Sequence, residues 1–462
     1  MRDGARVGNL PRMTLDDLLA KYDRRVPRYT SYPTAPHFMA MAEDAPYRAW
    51  LAQLESGTKL SLYLHVPFCA SLCLFCGCNT TVARQDQPLR GYTQTLLQEI
   101  DLIADAIGQR LPVAHVHWGG GTPTVLPPDC MVAISDKLRS RFAFEADTEI
   151  AVEVDPRQLS DGALDAIRTM GVRRASLGVQ DFDPVVQKAI GREQSFETTA
   201  SCASRLRSVG VTSLNLDLIY GLPHQTTESV AETADTALVI EPDRIAVFGY
   251  AHVPWMKKHQ SLIPEAALPG PAARFAQREV AEQVIGHAGY QAIGLDHFAR
   301  PEDQMAIAAR TAGLRRNFQG YTTDDAPVLI GLGASSIGSL PQGYIQNETS
   351  VPKWRDAIRN GKLPVARGVG LTPEDRLRRD VIEQLMCHFT VNVPDVATAH
   401  GFNPDVLNSA TPGLEDLARD GLVRMRNGTI DVTREGRAFV RAVAATFDTY
   451  LQAGATRHAA AI

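Results

Sequence analysis

The chain has 462 residues, of which 44% are hydrophobic, and it carries 47 basic against 52 acidic side chains, a net charge of −5. This length and apolar fraction suffice for a large buried core and predict two or three domains. Because the charges nearly balance, we expect no basic footprint of the kind that binds nucleic acid or an anionic membrane.

Signals for secretion or membrane insertion are not evident in the sequence. No segment resembles a signal peptide, and no apolar run approaches the ~20 residues of a membrane span. Cys130, Cys202 and Cys387 are scattered along the chain and suggest no disulfide framework. We therefore expect a cytoplasmic protein in a reducing compartment.

The N-terminal part, residues 1–55, shows no sheet pattern. A short helix is predicted over residues 15–22. The following stretch, residues 26–38, contains three prolines, which favour an extended, non-helical conformation. From these residues alone the stretch is interpreted as a surface arm.

From about residue 60 the sequence alternates between strand and helix patterns. Recurrent strand–helix units predict parallel strands joined by right-handed crossovers. Six units would form an incomplete barrel and eight a closed one, and in either case ligands gather at the carboxyl ends of the strands. The predicted strands are residues 61–66, 113–118, 149–154, 174–179, 213–219 and 245–250, with a helix over 91–107.

Four cysteines, Cys69, Cys73, Cys76 and Cys78, follow the first predicted strand closely. Neighbours at such short spacing seldom satisfy the geometry of a disulfide. Zinc is one alternative, although zinc sites usually combine two separated ligand pairs and no second pair follows here. The other interpretation is an iron–sulfur cluster held by Cys69, Cys73 and Cys76, whose fourth iron stays open for a substrate or cofactor.

Polar residues also follow the later strands, at the edge where the cysteine loop is expected. A glycine loop covers residues 118–124, and Glu153, Gln180 and Asp217 end the next three strands. Each feature has an ordinary alternative: a tight turn for the glycines and a cap for a single carboxylate. Polar residues at successive strand ends are harder to explain as caps, so we expect a ligand site there.

Residues 364–462 are predicted to form a separate unit, with Pro364 and Gly368 at the joint. Helices followed by a hairpin resemble a winged helix. A DNA-binding role would need a basic face, but acidic residues interleave with the arginines, so we interpret the unit as a lid over the substrate. The predicted elements are a helix over 372–388, a helix over 414–420, a hairpin over 422–432 and a closing helix over 436–450.

The spacing Cys-x-x-x-Cys-x-aromatic-Cys resembles the signature of the radical S-adenosylmethionine (SAM) enzymes. That resemblance implies that the open iron chelates the methionine part of SAM. The reduced cluster then cleaves the sulfonium to a 5′-deoxyadenosyl radical. Phe75 stands where the superfamily places an aromatic residue beside the adenine.

A wider set of motifs resembles one family in that superfamily, the oxygen-independent coproporphyrinogen III oxidases. The likeness runs from the arm to the last helix and is far more specific than the cysteines alone. The motifs are the arm at 26–38, Tyr63-x-His65-x-Pro67-Phe68-Cys69, Cys76-Gly77-Cys78, His117 to Pro123, Glu153-Val-Asp155-Pro156, Asp217 to Pro223, Asp296 to Arg300 and Arg316 to Thr323.

The resemblance implies an α/β fold: an incomplete six-stranded parallel (βα)6 barrel with an N-terminal arm and a small, mainly helical, winged-helix-like C-terminal domain. The expected bounds are 1–55 for the arm, 56–363 for the catalytic domain and 364–462 for the C-terminal domain. A monomer is expected.

The resemblance also implies a 4Fe-4S cluster on Cys69, Cys73 and Cys76 and two SAM molecules. Cys78 and Tyr63 are the candidate catalytic residues, and Cys78 is expected not to bind iron; a buried spectator thiol is the alternative for it. A surface salt bridge is the alternative for Arg192. By motif, Tyr63, Gly120, Glu153 and Ile337 should contact the first SAM, and Phe75, Gly121, Thr122, Gln180, Arg192, Asp217 and Ala251 the second.

The implied reaction is oxidative decarboxylation of two propionates of coproporphyrinogen III to the vinyl groups of protoporphyrinogen IX. It needs a flavodoxin- or ferredoxin-like electron donor and a terminal electron acceptor. Since the substrate is a tetracarboxylate, basic residues should line its pocket, with Arg28 and Arg300 as candidates from their motifs.

Two other functions fit the cysteine motif. A haem chaperone of the same superfamily would carry haem without decarboxylating, but such chaperones resemble this chain without the arm motif and the Cys-Gly-Cys pair, and both are present. A radical methyltransferase would transfer a methyl group from SAM. Product mass distinguishes the three activities.

Overall fold

A thirteen-stranded sheet forms the centre of the computed structural model, which describes residues 13–451. Its strand order is β1-β17-β16-β15-β14-β2-β5-β6-β7-β8-β9-β11-β10, and β3-β4, β12-β13 and β18-β20-β19 form smaller sheets. The strands are β1 (Met39–Ala40), β2 (Leu60–Val66), β3 (Phe68–Cys69), β4 (Thr81–Val82), β5 (Pro112–Gly120), β6 (Ala143–Val154), β7 (Arg174–Gln180), β8 (Ser213–Tyr220), β9 (Arg244–Gly249), β10 (Gln291–Ile293), β11 (His297–Ala299), β12 (Arg315–Asn317), β13 (Gly320–Thr322), β14 (Val328–Leu332), β15 (Ile337–Leu340), β16 (Gly343–Asn347), β17 (Val365–Gly370), β18 (Thr390–Asn392), β19 (Val423–Arg426) and β20 (Thr429–Val432).

Helices cover the outer face of this sheet and build the C-terminal domain. Several begin at the side chains that favour a helix start: Ser160, Ser195 and Thr226 each accept a hydrogen bond from a backbone amide of the first turn. The helices are α1 (Leu15–Tyr22), α2 (Ala45–Ala52), α3 (Asp86–Ile107), α4 (Pro128–Arg141), α5 (Asp161–Met170), α6 (Pro184–Ala189), α7 (Phe196–Ser208), α8 (Thr227–Leu238), α9 (Pro271–His287), α10 (Gln304–Arg310), α11 (Val351–Arg359), α12 (Pro373–His388), α13 (Val393–Ala399), α14 (Thr411–Arg419) and α15 (Val440–Ala445).

The six predicted strands are present as β2 and β5 to β9, and each pairs in parallel with the next. Every residue of β2 is buried, whereas β8 alternates between buried and half-buried residues, and its half-buried Asn215 and Asp217 line a pocket. A seventh parallel strand, β14, pairs with the free edge of β2. The sequence analysis missed β14, since the strand–helix repeat is interrupted before it by short antiparallel strands. Parallel order brings the carboxyl ends of these strands to one edge.

The N-terminal segment packs on two parts of the molecule. Tyr22, Tyr29 and Tyr32 are buried in the core of the C-terminal domain. Further along, β1 pairs with β17, and α2 packs its Tyr47 and Leu51 against the core of the main sheet. The segment therefore connects the C-terminal domain to the sheet.

The C-terminal domain contains the predicted hairpin, β19 and β20, and β18 adds a third strand. The predicted closing helix over 436–450 is wrong in its extent, because α15 covers only Val440–Ala445. The chain turns after α15 so that Asp448 and Thr449 contact the hydroxyls of Tyr29 and Tyr32. Residues 365–370, which we assigned to this domain, form β17 of the main sheet. Within residues 13–451, no helix is both long and apolar enough to cross a membrane.

Candidate active site

The cysteine loop leaves the carboxyl end of β2 and returns beside it. Parallel pairing of β3 with β4 places Cys69 at the base of the loop, and Cys73, Cys76 and Cys78 follow in the turn. All four residues line one cleft of about 190 Å³. The predicted residues that share this cleft are Cys69, Cys73, Phe75, Cys76, Cys78, Gly120, Gly121, Thr122, Glu153, Gln180, Arg192 and Asp217.

The Cys69 and Cys73 sulfurs lie beside hydrogen-bond donors, and burial raises the pKa of Cys69. Cys69 accepts from the Thr122 hydroxyl at 3.5 Å, and Cys73 accepts from Arg192 at 3.4 Å and from Arg157 at 3.6 Å. Arginine cations beside a thiol stabilise its ionised, ligand-competent form. Arg157 was missed by the sequence analysis, because no motif distinguishes it from a surface arginine.

Cys76 and Cys78 differ in their surroundings. The Cys78 amide donates to the Cys76 sulfur at 3.4 Å. The pKa of Cys76 is lowered to about 6, chiefly by a side-chain hydrogen bond with Cys78, and the same bond raises the pKa of Cys78. Cys78 is an exposed residue, so the alternative of a buried spectator thiol is wrong. The thiolate character of the pair therefore lies on Cys76, the predicted iron ligand. Among residues 13–451, no group of three His, Cys, Asp or Glu side chains is arranged to hold a single metal ion.

The segment after β9 holds the cysteine loop by its carbonyl oxygens. Gln260 donates to the Phe75 carbonyl at 2.8 Å, and His259 Nε2 lies 2.7 Å from the Cys76 carbonyl. Lys257 donates to the Cys78 carbonyl at 2.8 Å. These bonds fix the backbone of the ligand residues before any cofactor binds, and the local sequence gave no signal of them.

The glycine loop after β5 passes so close to the cysteine loop that side chains would clash. A Cβ on Gly121 would lie 2.5 Å from the Phe68 carbonyl and 2.9 Å from the Cys69 sulfur. Gly120 has φ of +115° and a Cβ there would meet the His65 ring at 2.9 Å. The fold itself therefore requires these glycines, and the cofactor-approach interpretation stays a prediction.

Glu153 connects the glycine loop to β5. Its carboxylate accepts from the Gly120 amide at 3.1 Å and lies 3.1 Å from His117 Nε2. Burial acts to raise its pKa, but the hydrogen bonds with His117 and Gly120 outweigh burial, so the pKa of Glu153 lies below its usual value. The carboxylate is thus ionised and faces the cleft as an acceptor.

Tyr63, a candidate catalytic residue, stands behind the glycine loop rather than on the cleft wall. His65 Nε2 lies 3.0 Å from the Asn79 carbonyl and therefore carries the proton, which leaves Nδ1 to accept from the Tyr63 hydroxyl at 3.0 Å. Burial raises the pKa of Tyr63 well above its usual value. Tyr63 therefore keeps its proton and donates it in a hydrogen bond to His65.

The far wall of the cleft carries Arg192 and Asp217. Arg192 donates to the Gly178 carbonyl at 2.6 Å and pairs with Asp155 at 3.3 Å, so the surface salt-bridge alternative is wrong: the side chain is 7% exposed. Its Nε is buried and has no hydrogen-bond partner. Asp217 accepts from Ser176 at 2.8 Å, and burial raises the pKa of Asp217.

Besides Tyr63, two residues predicted to contact SAM lie outside the cleft. Ala251 lines a neighbouring pocket, and its carbonyl accepts from Gln260 at 3.3 Å. Ile337 lies on β15 and packs against an aromatic cluster that contains Phe38 and Tyr344.

The two arginines predicted to contact the substrate, Arg28 and Arg300, lie at different edges of the sheet. Arg28 lines the pocket next to Ala251, at the carboxyl ends of β8 and β9. Arg300 donates to the Pro242 carbonyl at 3.0 Å, beside the amino end of β9. Because that is the opposite edge of the sheet, the expectation for Arg300 is wrong.

Comparison with known proteins places this site in a family. Residues 63–237 match the model described as the radical SAM superfamily, and residues 371–439 match that of the HemN C-terminal domain. An oxygen-independent coproporphyrinogen III oxidase of Bradyrhizobium diazoefficiens is 48% identical over 96% of this chain and 99% of its own. That of Salmonella typhimurium is 41% identical over 94% and 95%.

A solved structure agrees. Coproporphyrinogen III oxidase (HemN) from Escherichia coli, described as a radical SAM enzyme, superposes with a TM-score of 0.88 at 39% identity, over 93% of this chain and 100% of that one. This chain and that enzyme thus share one fold over nearly their whole lengths. The chain belongs to the oxygen-independent coproporphyrinogen III oxidase family of radical SAM enzymes.

Proposed function

We propose that this enzyme decarboxylates two propionate side chains of coproporphyrinogen III oxidatively, giving the vinyl groups of protoporphyrinogen IX. The observation that carries the proposal is the cleft in which Cys69, Cys73 and Cys76 face the Gly120 backbone and the ionised Glu153. Relatives that bear the name of this activity are 41% and 48% identical to this chain over 94% and 96% of its length.

The residues present fit a 4Fe-4S cluster with one open iron. Three soft thiolate donors, Cys69, Cys73 and Cys76, share one cleft, and each iron in such a cluster prefers a thiolate. Arg192 and Arg157 donate to the Cys73 sulfur, and the carbonyl contacts of Lys257, His259 and Gln260 hold the loop. Cys78 stays outside the ligand set.

We also propose that SAM occupies two positions along the open cleft. The first would lie along Gly120 and Glu153, whose carboxylate accepts from ribose hydroxyls. The second would lie toward Arg192, Gln180 and Asp217, where the unpartnered Arg192 Nε suits a methionyl carboxylate. We propose that Tyr63 and Ile337 contact SAM in the first position. Phe75, Gly121, Thr122 and Ala251 would contact SAM in the second position.

When bound, the cluster and SAM supply a primary carbon radical that removes a hydrogen atom from an unactivated carbon, which no ordinary base can do. Each propionate then loses that hydrogen atom, carbon dioxide and one electron. The chain's own residues position the side chain and exclude water. We propose that a flavodoxin- or ferredoxin-like protein donates electrons, that an external acceptor takes the last one, and that the enzyme acts as a cytoplasmic monomer.

The test is anaerobic turnover of the reconstituted protein with coproporphyrinogen III, SAM and a reductant, read by mass spectrometry. We expect each reacting propionate to lose carbon dioxide and two hydrogens. Gain of a methyl group would instead indicate a methyltransferase, and bound but unchanged haem a chaperone. Cys69→Ser is the matched control: it should lack the cluster, because a serine oxygen is a harder ligand than a thiolate, and form no product.

A further inference from the structure

A pocket rich in arginine opens beside the cysteine cleft, at the carboxyl ends of β8 and β9. The arm, α9, β12 and the C-terminal domain all contribute to it, so it forms only when the domains pack together. Its arginines are Arg25, Arg28, Arg274, Arg278, Arg316 and Arg441.

The described lining of this pocket carries more positive than negative charge, although Arg278 also pairs with Glu282 at 3.7 Å. Among the described residues that line it, Asp296 is the only carboxylate, and it hydrogen-bonds His297 at 2.7 Å. Arg28, Arg274 and Arg316 form no ion pair within residues 13–451; Arg28 donates to the Gly249 carbonyl at 3.2 Å, and Arg316 donates to the Arg28 carbonyl at 3.4 Å. Asp296 acts electrostatically on both guanidiniums, and Arg316 also lies 4.3 Å from the centre of the Tyr321 ring. One carboxylate shared between the two arginines leaves room for a further anion.

Several donors in the pocket are buried and unused. Arg274 Nε, Arg316 Nε and Arg316 Nη1 have no hydrogen-bond partner. Buried donors of this kind are rare in folded proteins unless a ligand or ion completes them. Burial, followed by the charges of Arg28 and Arg316, lowers the pKa of Arg441 to about 9. An anion whose oxygens accept hydrogen bonds from these planar guanidiniums would give the unused donors partners and offset the positive charge.

The size of the pocket limits which part of a substrate enters it. Its volume of about 170 Å³ is well below the ~300–1,000 Å³ of sites that enclose a drug-sized molecule, so a whole tetrapyrrole would not fit, whereas carboxylate side chains would. The pocket adjoins the radical site: Gln260 donates to both the Phe75 carbonyl of the cysteine loop and the Ala251 carbonyl of the pocket wall.

We propose that the arginine pocket binds the two propionate carboxylates that remain in the product, and so orients the opposite edge of the macrocycle toward the cysteine cleft. The inference rests on the proposed function. A carboxylate paired with arginines is stabilised as an anion and resists leaving as neutral carbon dioxide, so the reacting propionates lie outside the pocket. In protoporphyrinogen IX the two remaining propionates stand on neighbouring rings, which lets both enter one pocket.

The test uses fluorescence titration with three stable porphyrins: coproporphyrin III, which has four propionates; deuteroporphyrin IX, which has only the two retained ones; and the dimethyl ester of deuteroporphyrin IX. We expect Arg274→Gln to weaken binding of both acids about tenfold to a hundredfold, the effect of one charged hydrogen bond, and to leave the weaker binding of the ester unchanged. Arg274→Lys should recover part of the affinity. Arg316→Gln is a second pocket variant.

Arg300→Gln is the matched control, because Arg300 lies at the opposite edge of the sheet. This variant should bind all three porphyrins as the wild type does. Iron content and SAM cleavage without substrate report that each variant is folded. The inference would be overturned if both pocket variants bound deuteroporphyrin IX as tightly as the wild type does. This holds even if the variants bound coproporphyrin III more weakly. Failure of the wild type to decarboxylate coproporphyrinogen III would instead refute the proposed function, so the two failures are distinguishable.

Discussion

Replacing Gly121 with alanine tests how the glycine loop positions an iron ligand. The new methyl group would lie 2.9 Å from the Cys69 sulfur and 2.5 Å from the Phe68 carbonyl oxygen. Since non-bonded contacts are most favourable at about 3.5–4.0 Å, one side must move by roughly 0.6–1 Å. The Phe68 carbonyl is backbone of β3, so the strain falls on the loop that carries Cys69.

Overpacking of this kind costs about 1–3 kcal/mol. We expect Gly121→Ala to lower the free energy of unfolding of the apoprotein by that amount in urea titrations. Reconstituted under anaerobic conditions, it should hold less iron and sulfide per chain than the wild type, because the Cys69 sulfur is displaced.

Two alanine variants serve as controls. Gly77 lies in the cysteine loop and Gly91 in α3, and a Cβ at either would meet nothing within 4 Å. Gly77→Ala should keep the iron, and Gly91→Ala should gain roughly 0.5–1 kcal/mol from helix propensity. Wild-type iron content in Gly121→Ala, with stability within about 0.5 kcal/mol of the wild type, would refute the argument from close approach.

Three further predictions concern other residues. Cys78→Ser should keep a cluster of normal spectrum but lose most turnover of coproporphyrinogen III; loss of iron would show that Cys78 is a ligand. Gln260→Leu removes the donor to the Phe75 carbonyl, at a cost of about 1–3 kcal/mol, and should speed loss of iron to a chelator; an unchanged rate would mean that this bond does not hold the loop. Burial raises the pKa of Glu99 to about 7. Since the folded state then binds the proton more tightly than the unfolded state, this group's contribution to stability falls as pH rises from about 4.5 to 7, by about 3 kcal/mol. Urea titrations at pH 5 and 8 should therefore show the free energy of unfolding of Glu99→Gln rising relative to that of the wild type as pH increases. A difference between the two proteins that does not change with pH would contradict the raised pKa of Glu99.

Local patterns in the sequence predicted much of the active edge. The six strands, the cysteine loop after β2 and the polar strand ends are encoded within short stretches, because a buried strand needs an apolar run and a cluster ligand set needs close thiols. Glu153 and Asp217 reached the cleft as expected, since the carboxyl ends of parallel strands must meet at one edge.

The tertiary structure decided what depends on distant segments. Strand β14 joins β2 from more than two hundred residues away, and the carbonyl contacts of Lys257 and His259 reach back to the cysteine loop across 179 and 183 residues. Arg28 and Arg300 both matched family motifs, yet only Arg28 faces the pocket. A motif specifies residue types along the chain. The packing of the arm, the sheet and the C-terminal domain determines which side chains meet. That packing depends on contacts between distant segments, which no local pattern encodes.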